Sequence, residues 1–473
     1  MKKHLYIDGN WVEAGEYRPL YAPYNGELLA EVAYASAAEV ELAIAAAERA
    51  RPVMARMPAH ERAAILEKLA ASIRDNADTC ARLIAQEAAK PLTTAKLEVE
   101  RTITTYKFAA EEAKRIHGET IPMDAAPGGE NRIAYTMRQP LGVVAAITPF
   151  NFPMNLVAHK VGPALAAGNT IVLKPAGQTP LTALFLAELL EQAGLPHGAL
   201  NVVTGSGSVI GDCLVTDARV KAVTFTGSPE VGIAIRNKAG LKKVTLELGS
   251  NSALIIDQGV ELDDALIART VTGAFSFAGQ VCISLQRIYV HEQLFDAFVR
   301  KFVAQTERLV LGDPLDPRTD VSAVIGAKDA DRSLAWIAEA EKLGAVVAAG
   351  NRRDGGIIHP TVLLHADPAS RISCQEAFAP IVMINRVSSV EEAVQQVNNS
   401  RYGLQAGIYT NDIRTAFTAA ETLEVGGVMI NDIPTFRVDH MPYGGVKESG
   451  TGREGVKYAV HDLTELKLVC FKK

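Results

Sequence analysis

Cys282 lies in the run Phe277-Ala278-Gly279-Gln280-Val281-Cys282-Ile283-Ser284, close to a glycine and just after a long helical pattern. A thiolate presented at such a turn is a soft nucleophile at neutral pH, suited to adding to a carbonyl carbon. A cysteine taken alone is more often a small core residue, so the reading needs partners. Glu247 closes the apolar strand pattern Val244-Thr245-Leu246-Glu247. A carboxylate there is either solvated or, once partly buried, a general base with a raised pKa. Asn151 stands in Thr148-Pro149-Phe150-Asn151-Phe152-Pro153. The two prolines stiffen its backbone, so its amide can be a fixed donor to a developing oxyanion; an ordinary turn asparagine is the plain alternative. Lys174, before Pro175, ends another apolar run, where an ammonium reaches a ribose hydroxyl or faces water.

Glycines mark two further stretches. Gly205-Ser206-Gly207-Ser208-Val209-Ile210-Gly211 follows a strand pattern, but its last interval is one residue longer than in the dinucleotide fingerprint G-x-G-x-x-G. Phe225-Thr226-Gly227-Ser228-Pro229-Glu230-Val231-Gly232 follows a strand and opens a helix, whose free N–H groups can receive a phosphate. Either pattern alone is weak, because strand-to-helix turns use glycine for shape.

The elements that must position these residues follow from periodicity. Residues 36–114 read as alanine-rich helices, and Arg132–Met137, after Pro127-Gly128-Gly129, as one arm of an antiparallel ribbon. From residue 142 to 249, short apolar runs at 143–147, 170–173, 199–203 and 222–225 alternate with helices. One helix is expected from Leu181 to about Gln192, with Thr179 as N-cap and Pro180 as first helical residue. A second alternating block spans 252–431, with a helix over Asp263–Ala278, a strand at Arg287–Val290 and a helix over Leu294–Leu309. Such alternation predicts mostly parallel sheets covered on both faces, with ligands beyond the carboxyl ends of the strands. The tail Leu466–Phe471 reads as a strand whose free edge suits an oligomer contact.

Bulk properties narrow the class. Of 473 residues, 48% are hydrophobic and 22% charged, with a formal net charge of −6. That is the balance of an ordinary globular protein, with no footing for nucleic acid or an anionic membrane. Five scattered cysteines, never in a C-x-x-C pair, argue against a disulfide framework and against a metal site. No apolar run approaches the ~20 residues of a membrane-spanning helix. Met1-Lys2-Lys3 is not followed by the apolar stretch of a signal peptide, so a cytoplasmic protein is expected.

Taken in order, Thr148-to-Pro153, Lys174-Pro175, Phe225-to-Gly232, Glu247-Leu248-Gly249, Gly279-to-Cys282, Glu376-Ala377-Phe378-Ala379-Pro380 and Pro442-to-Gly450 resemble the motifs of the aldehyde dehydrogenase superfamily. The resemblance runs along essentially the whole chain. It implies two Rossmann-like open parallel-sheet domains plus a small β oligomerisation ribbon. On that plan residues 1–120 and 140–250, with 434–455 returning, form a nucleotide-binding domain. Residues 251–433 form a catalytic domain, and 121–139 with 456–473 an oligomerisation element that builds a homodimer or homotetramer.

The same resemblance implies NAD(P)⁺-dependent oxidation of an aldehyde to an acid. Cys282 attacks the aldehyde, the Asn151 amide and the Cys282 N–H hold the oxyanion, and Glu247 activates the water that hydrolyses the thioester. Lys174 and Glu376 hold the riboses, with Phe378 beside the nicotinamide ribose. Thr148, Pro149, Phe150, Ala176, Gly177, Gly207, Gly211, Phe225, Thr226, Gly227, Ser228, Gly232 and Leu248 complete the expected cofactor surface. Where many NAD⁺-preferring members carry a glutamate, this chain has Gly177, which leaves room for a 2′-phosphate and favours NADP⁺ or dual use. Ala377, Ala379 and Ser250-Asn251 also depart from the usual pattern.

The stretches 151–160 and 436–442 resemble a subgroup acting on lactaldehyde, semialdehydes and phosphonate- or sulfonate-bearing aldehydes. A short polar or anionic aldehyde is therefore expected, with His159, Arg287 and Arg437 as candidate readers of its tail; local packing and structural ion pairs are the alternative for all three. Within the family the rival is a coenzyme A-acylating enzyme, against which Glu247 speaks. A catalytically silent paralogue is the other alternative.

Overall fold

The computed structural model describes residues 1–473. Its first helical layer, Ala37–Arg56, Ala59–Asp75, Ala77–Ala88 and Leu92–Ala113, follows the alanine-rich region. Alanine gives up least on entering a helix. Ser36 and Glu39 form a reciprocal capping box that satisfies backbone N–H groups at the start.

Five parallel strands, Lys243–Glu247, Val220–Thr226, Val143–Ile147, Thr170–Lys174 and Leu200–Val202, lie in that order at the centre of an eight-stranded sheet. Successive side chains of a strand point to opposite faces, and here both faces are buried. Val144 and Ala146 enter a core with the helices from Ala59 to Gln192, whereas Val143, Ala145 and Ile147 pack with Val40, Ala43 and Ile44 of the first helix. A seven-stranded sheet repeats the plan. Leu254 and Ile256 face Ile267 and Phe298, while Ala253 and Ile255 face Val394 and Ala419.

Both sheets are mixed at their margins. Gly450–Thr451 and Leu5–Ile7 add antiparallel to the first, and Val346–Ala349 to the second. A third sheet joins Thr464–Lys472 to Arg132–Pro140 and Thr120–Ile121, all antiparallel. The expected fold, two Rossmann-like sheets and a β ribbon, is the one found.

Two local expectations are corrected. The helix at Leu181–Gln192 receives no cap from Thr179. The buried Glu87 carboxylate accepts from the N–H groups of Leu181 and Thr182 at 2.7 and 3.1 Å instead. The helix expected over 263–278 stops at Phe275, with Asp263 as its cap. Phe277 and Ala278 then turn left-handed at φ 49° and 52°, which costs non-glycine residues on the order of 1 kcal/mol each.

Candidate active site

The carboxyl ends of the parallel strands collect the chemistry. Thr148 and Asn151 follow the Val143–Ile147 strand, Lys174 ends Thr170–Lys174, Gly227 and Ser228 follow Val220–Thr226, and Glu247 ends Lys243–Glu247. Across from them, the Phe277–Gly279 corner delivers Gln280 and Cys282. A side chain at Gly279 would meet the Ala379 carbonyl at 2.1 Å and its φ is +67°, so only glycine closes this corner. The Asn151 Nδ2 donates to the Gln280 carbonyl at 3.0 Å, which pins the amide two residues from Cys282. Its Oδ1 is buried without a partner.

Cys282 lines a cleft of about 220 Å³ together with Phe152, Val281, Tyr443, Arg101 and Arg437. Burial among apolar groups pushes its thiol up to about 11, against a hydrogen bond from Tyr443 that lowers it. Glu247 is buried, and neither carboxylate oxygen has a partner. Burial and the nearby Glu454 carboxylate raise its pKa well above the ordinary range. A buried acid without partners is what a general base in a dry site requires.

On the cofactor side, Lys174 is buried, its pKa lowered to about 8 by desolvation, and its Nζ makes one long bond of 3.3 Å to the Pro175 carbonyl. The hydroxyls of Thr148 and Thr179 are buried and unpartnered. Beside the adjoining Ala176, a side chain at Gly177 would meet open space, as it would at Gly207 and Gly211. Ser228 caps the Pro229–Lys238 helix. Glu376 accepts from the Ser250 N–H at 3.0 Å, and burial raises its pKa to about 7. Phe378 meets Phe150 edge-on at 5.7 Å. Unsatisfied donors beside open backbone fit a dinucleotide. Gly232 and Leu248 pack on each other: a Cβ at Gly232 would lie 2.5 Å from Leu248.

The three residues proposed to read the substrate separate. Arg287 is buried away from the cleft, where it donates to the carbonyls of Asn251, Gln396 and Val397. His159 is also enclosed, its Nε2 held 2.9 Å from Asp439 and 3.1 Å from Arg437. Arg437 does line the cleft, but it is paired with Glu454 at 2.8 Å. Asn251, in the link between the two sheets, donates to the Ser373 carbonyl and accepts from Ser400 on the side of the second sheet, a structural reason for an asparagine there.

Arg101 is the residue the sequence does not announce. It reads as one more charge on the surface of a helix. In the fold it lines the cleft, 29% exposed, and Asp439 fixes its guanidinium through Nε and Nη2 at 3.1 and 2.7 Å. Its Nη1 edge stays free for a ligand. No group of His, Cys, Asp and Glu side chains is arranged to hold a metal ion, and no helix is long and apolar enough to cross a membrane.

Residues 11–469 match the aldehyde dehydrogenase family. The chain is 47% identical over 467 residues to a 3-sulfolactaldehyde dehydrogenase of Priestia aryabhattai, covering 98% of this chain and 97% of that protein. It superposes on aldehyde dehydrogenase 21 of Physcomitrella patens, in complex with the reaction product succinate, with a TM-score of 0.97 at 40% identity, covering 100% and 98% of the two chains. An NADP-dependent glyceraldehyde-3-phosphate dehydrogenase of Bacillus halodurans C-125, complexed with NADP, gives 0.96 at 38% identity, covering 100% and 99%. The chain belongs to the aldehyde dehydrogenase family. It is an NAD(P)-dependent oxidoreductase that acts on aldehydes.

Proposed function

We propose that the protein oxidises a short aldehyde with an anionic tail to the carboxylic acid, with Cys282 as nucleophile. The observation that carries this reading is one cleft holding both the thiol and three guanidiniums, Arg101, Arg269 and Arg437, of which Arg269 is paired with Asp432 and Arg437 with Glu454. Planar guanidiniums match carboxylate, sulfonate and phosphate groups. The aldehydes and product named for the three relatives all bear such groups.

In this scheme Cys282 Sγ adds to the aldehyde carbon and the Asn151 amide donates to the oxyanion. A nicotinamide dinucleotide, when bound, would supply the hydride acceptor. Lys174 and Glu376 hold its riboses, with Thr148, Ser228 and the open backbone at Gly177 around the remainder. Glu247 takes a proton from the water that hydrolyses the thioester. Gly177 admits a 2′-phosphate, so NADP⁺ is used as well as or better than NAD⁺.

The protein assembles as a homodimer or homotetramer through its ribbon, which exposes Ile133, Tyr135, Met137, Leu466, Leu468 and Phe471. Five free cysteines fit the reducing cytoplasm.

The test follows nicotinamide reduction with alkyl, hydroxy, carboxylated, phosphorylated and sulfonated aldehydes, each with NAD⁺ and NADP⁺, beside Cys282→Ala. Turnover on anionic aldehydes that vanishes in the variant is expected. Equal or better turnover on alkyl aldehydes would overturn the substrate class, and turnover surviving in Cys282→Ala would overturn the mechanism.

A further inference from the structure

Cys282 sits among Phe152, Phe277, Val281 and Ile283, surroundings that favour a protonated thiol. One polar group of the protein touches its sulfur. The Tyr443 hydroxyl lies 2.7 Å from Sγ, and Sγ is that hydroxyl's one hydrogen-bond partner. Below the same ring the Arg437 guanidinium stacks 3.6 Å from the centroid. A cation on a phenol's face draws density from the ring and strengthens the O–H as a donor. Arg437 is itself fixed by Glu454 at 2.8 Å, so the stack cannot swing away.

We propose that Tyr443 is a catalytic residue of the reaction, the donor that stabilises the thiolate of Cys282 when it forms and aims its sulfur into the cleft, with Arg437 as the residue that positions and polarises the phenol. This rests on Cys282 being the nucleophile. The thiol's proton leaves to solvent through the cleft, and Tyr443 keeps its own proton throughout. When Sγ adds to the aldehyde carbon, the C–S bond takes up a sulfur lone pair and the negative charge moves to the aldehyde oxygen. A neutral thioether sulfur is a weak acceptor.

The charged and titratable groups facing the pair are few. Arg437 favours the thiolate, while Glu247 and Glu376 oppose it. Tyr443 therefore stands with Arg437 against two carboxyl groups and burial. A tyrosine that merely lined the cleft would act through its ring, and phenylalanine would serve equally.

The experiment is the pH dependence of Cys282 alkylation by iodoacetamide, read by intact mass and by thiolate absorbance. It compares wild type, Tyr443→Phe, and protein carrying 3,5-difluorotyrosine at position 443. Losing the donor is expected to raise the apparent thiol pKa by about one unit, a fall of about tenfold in alkylation at neutral pH. The more acidic fluorinated phenol moves it the other way, which a purely structural role would not do. Arg437→Lys, which keeps the charge but loses the stack, gives a smaller shift in the direction of Tyr443→Phe. Unchanged alkylation profiles in Tyr443→Phe, with KM for the aldehyde altered alone, would overturn the proposal. Loss of turnover in Cys282→Ser separates the two claims, since turnover surviving there would remove the nucleophile itself.

Discussion

Glu247 and Glu454 occupy neighbouring ground, one at the end of a strand and the other just beyond the short Gly450–Thr451 strand that pairs with it. Both are almost fully enclosed, at 3% and 2% exposure. Their chemistry diverges. Burial would raise Glu454 too, but Lys160, His159 and Arg437 outweigh it and hold the carboxylate far below the usual range. Glu247 has no partner on either oxygen, and Glu454's fixed charge pushes it further up. One acid is a permanent anion that organises cations; the other is left free to exchange a proton. Two carboxyl groups with pKa values driven apart by their surroundings are a recurring mark of acid–base sites.

Removing the free acid has the largest expected effect. Glu247→Gln should cut steady-state turnover by about 10²- to 10⁴-fold, yet leave a burst of nicotinamide reduction near one equivalent per subunit. The burst, with accumulation of an acyl-enzyme by mass, places the loss at hydrolysis; a lost burst would place it earlier. Glu454→Gln should act on stability, since it leaves Lys160 and Arg437 buried without their anion. A loss of about 3–5 kcal/mol is expected, read by denaturant unfolding.

The two acids also differ in pH response. Glu247 works as a base only when ionised, so the acid limb of the deacylation rate should lie well above the free carboxylate value of about 4.3. In Glu454→Gln that limb should move to lower pH, because a repelling charge is gone while Lys160 and Arg437 remain. For stability the signs are opposite. Glu454, with its depressed pKa, contributes stability present above about pH 4.3 and lost as pH falls toward its folded value. Glu247, with its raised pKa, favours the native state when protonated, and that contribution declines as pH rises from about 4.3 to its folded value.

The smallest effect tests the rim against the interior. Arg101→Ala should raise KM for anionic aldehydes about tenfold, as for one charged hydrogen bond, and leave neutral aldehydes almost unchanged. Equal changes for both substrate classes would return Arg101 to a structural role.

What the sequence discloses follows the range of the interaction. The Val143–Ile147 and Thr170–Lys174 strands, the helix opening at Ser228 and the terminal ribbon strand announce themselves in local periodicity and turn residues. Glu247 is visible as a strand-ending carboxylate. Its solitude is not, because that depends on which distant residues fail to approach it. Thr179 is a good local cap that loses to Glu87, delivered from another helix. Arg101 and Asp439 meet across most of the chain, and no spacing rule joins them. His159 and Arg287 looked like ligand readers for the same reason: a buried arginine or histidine with structural partners carries no local mark of them.

The left-handed corner at Phe277 and Ala278 has a consequence for biosynthesis. Its geometry is unfavourable to a chain in isolation, and in the fold Gly279 packs closely under Ala379 and Pro380. A polypeptide emerging from the ribosome N-terminus first makes Cys282 long before it makes those residues. The reactive cysteine thus acquires its orientation late, when the second sheet has been synthesised and has closed, and a truncated nascent chain carries a thiol that is present but not yet aimed.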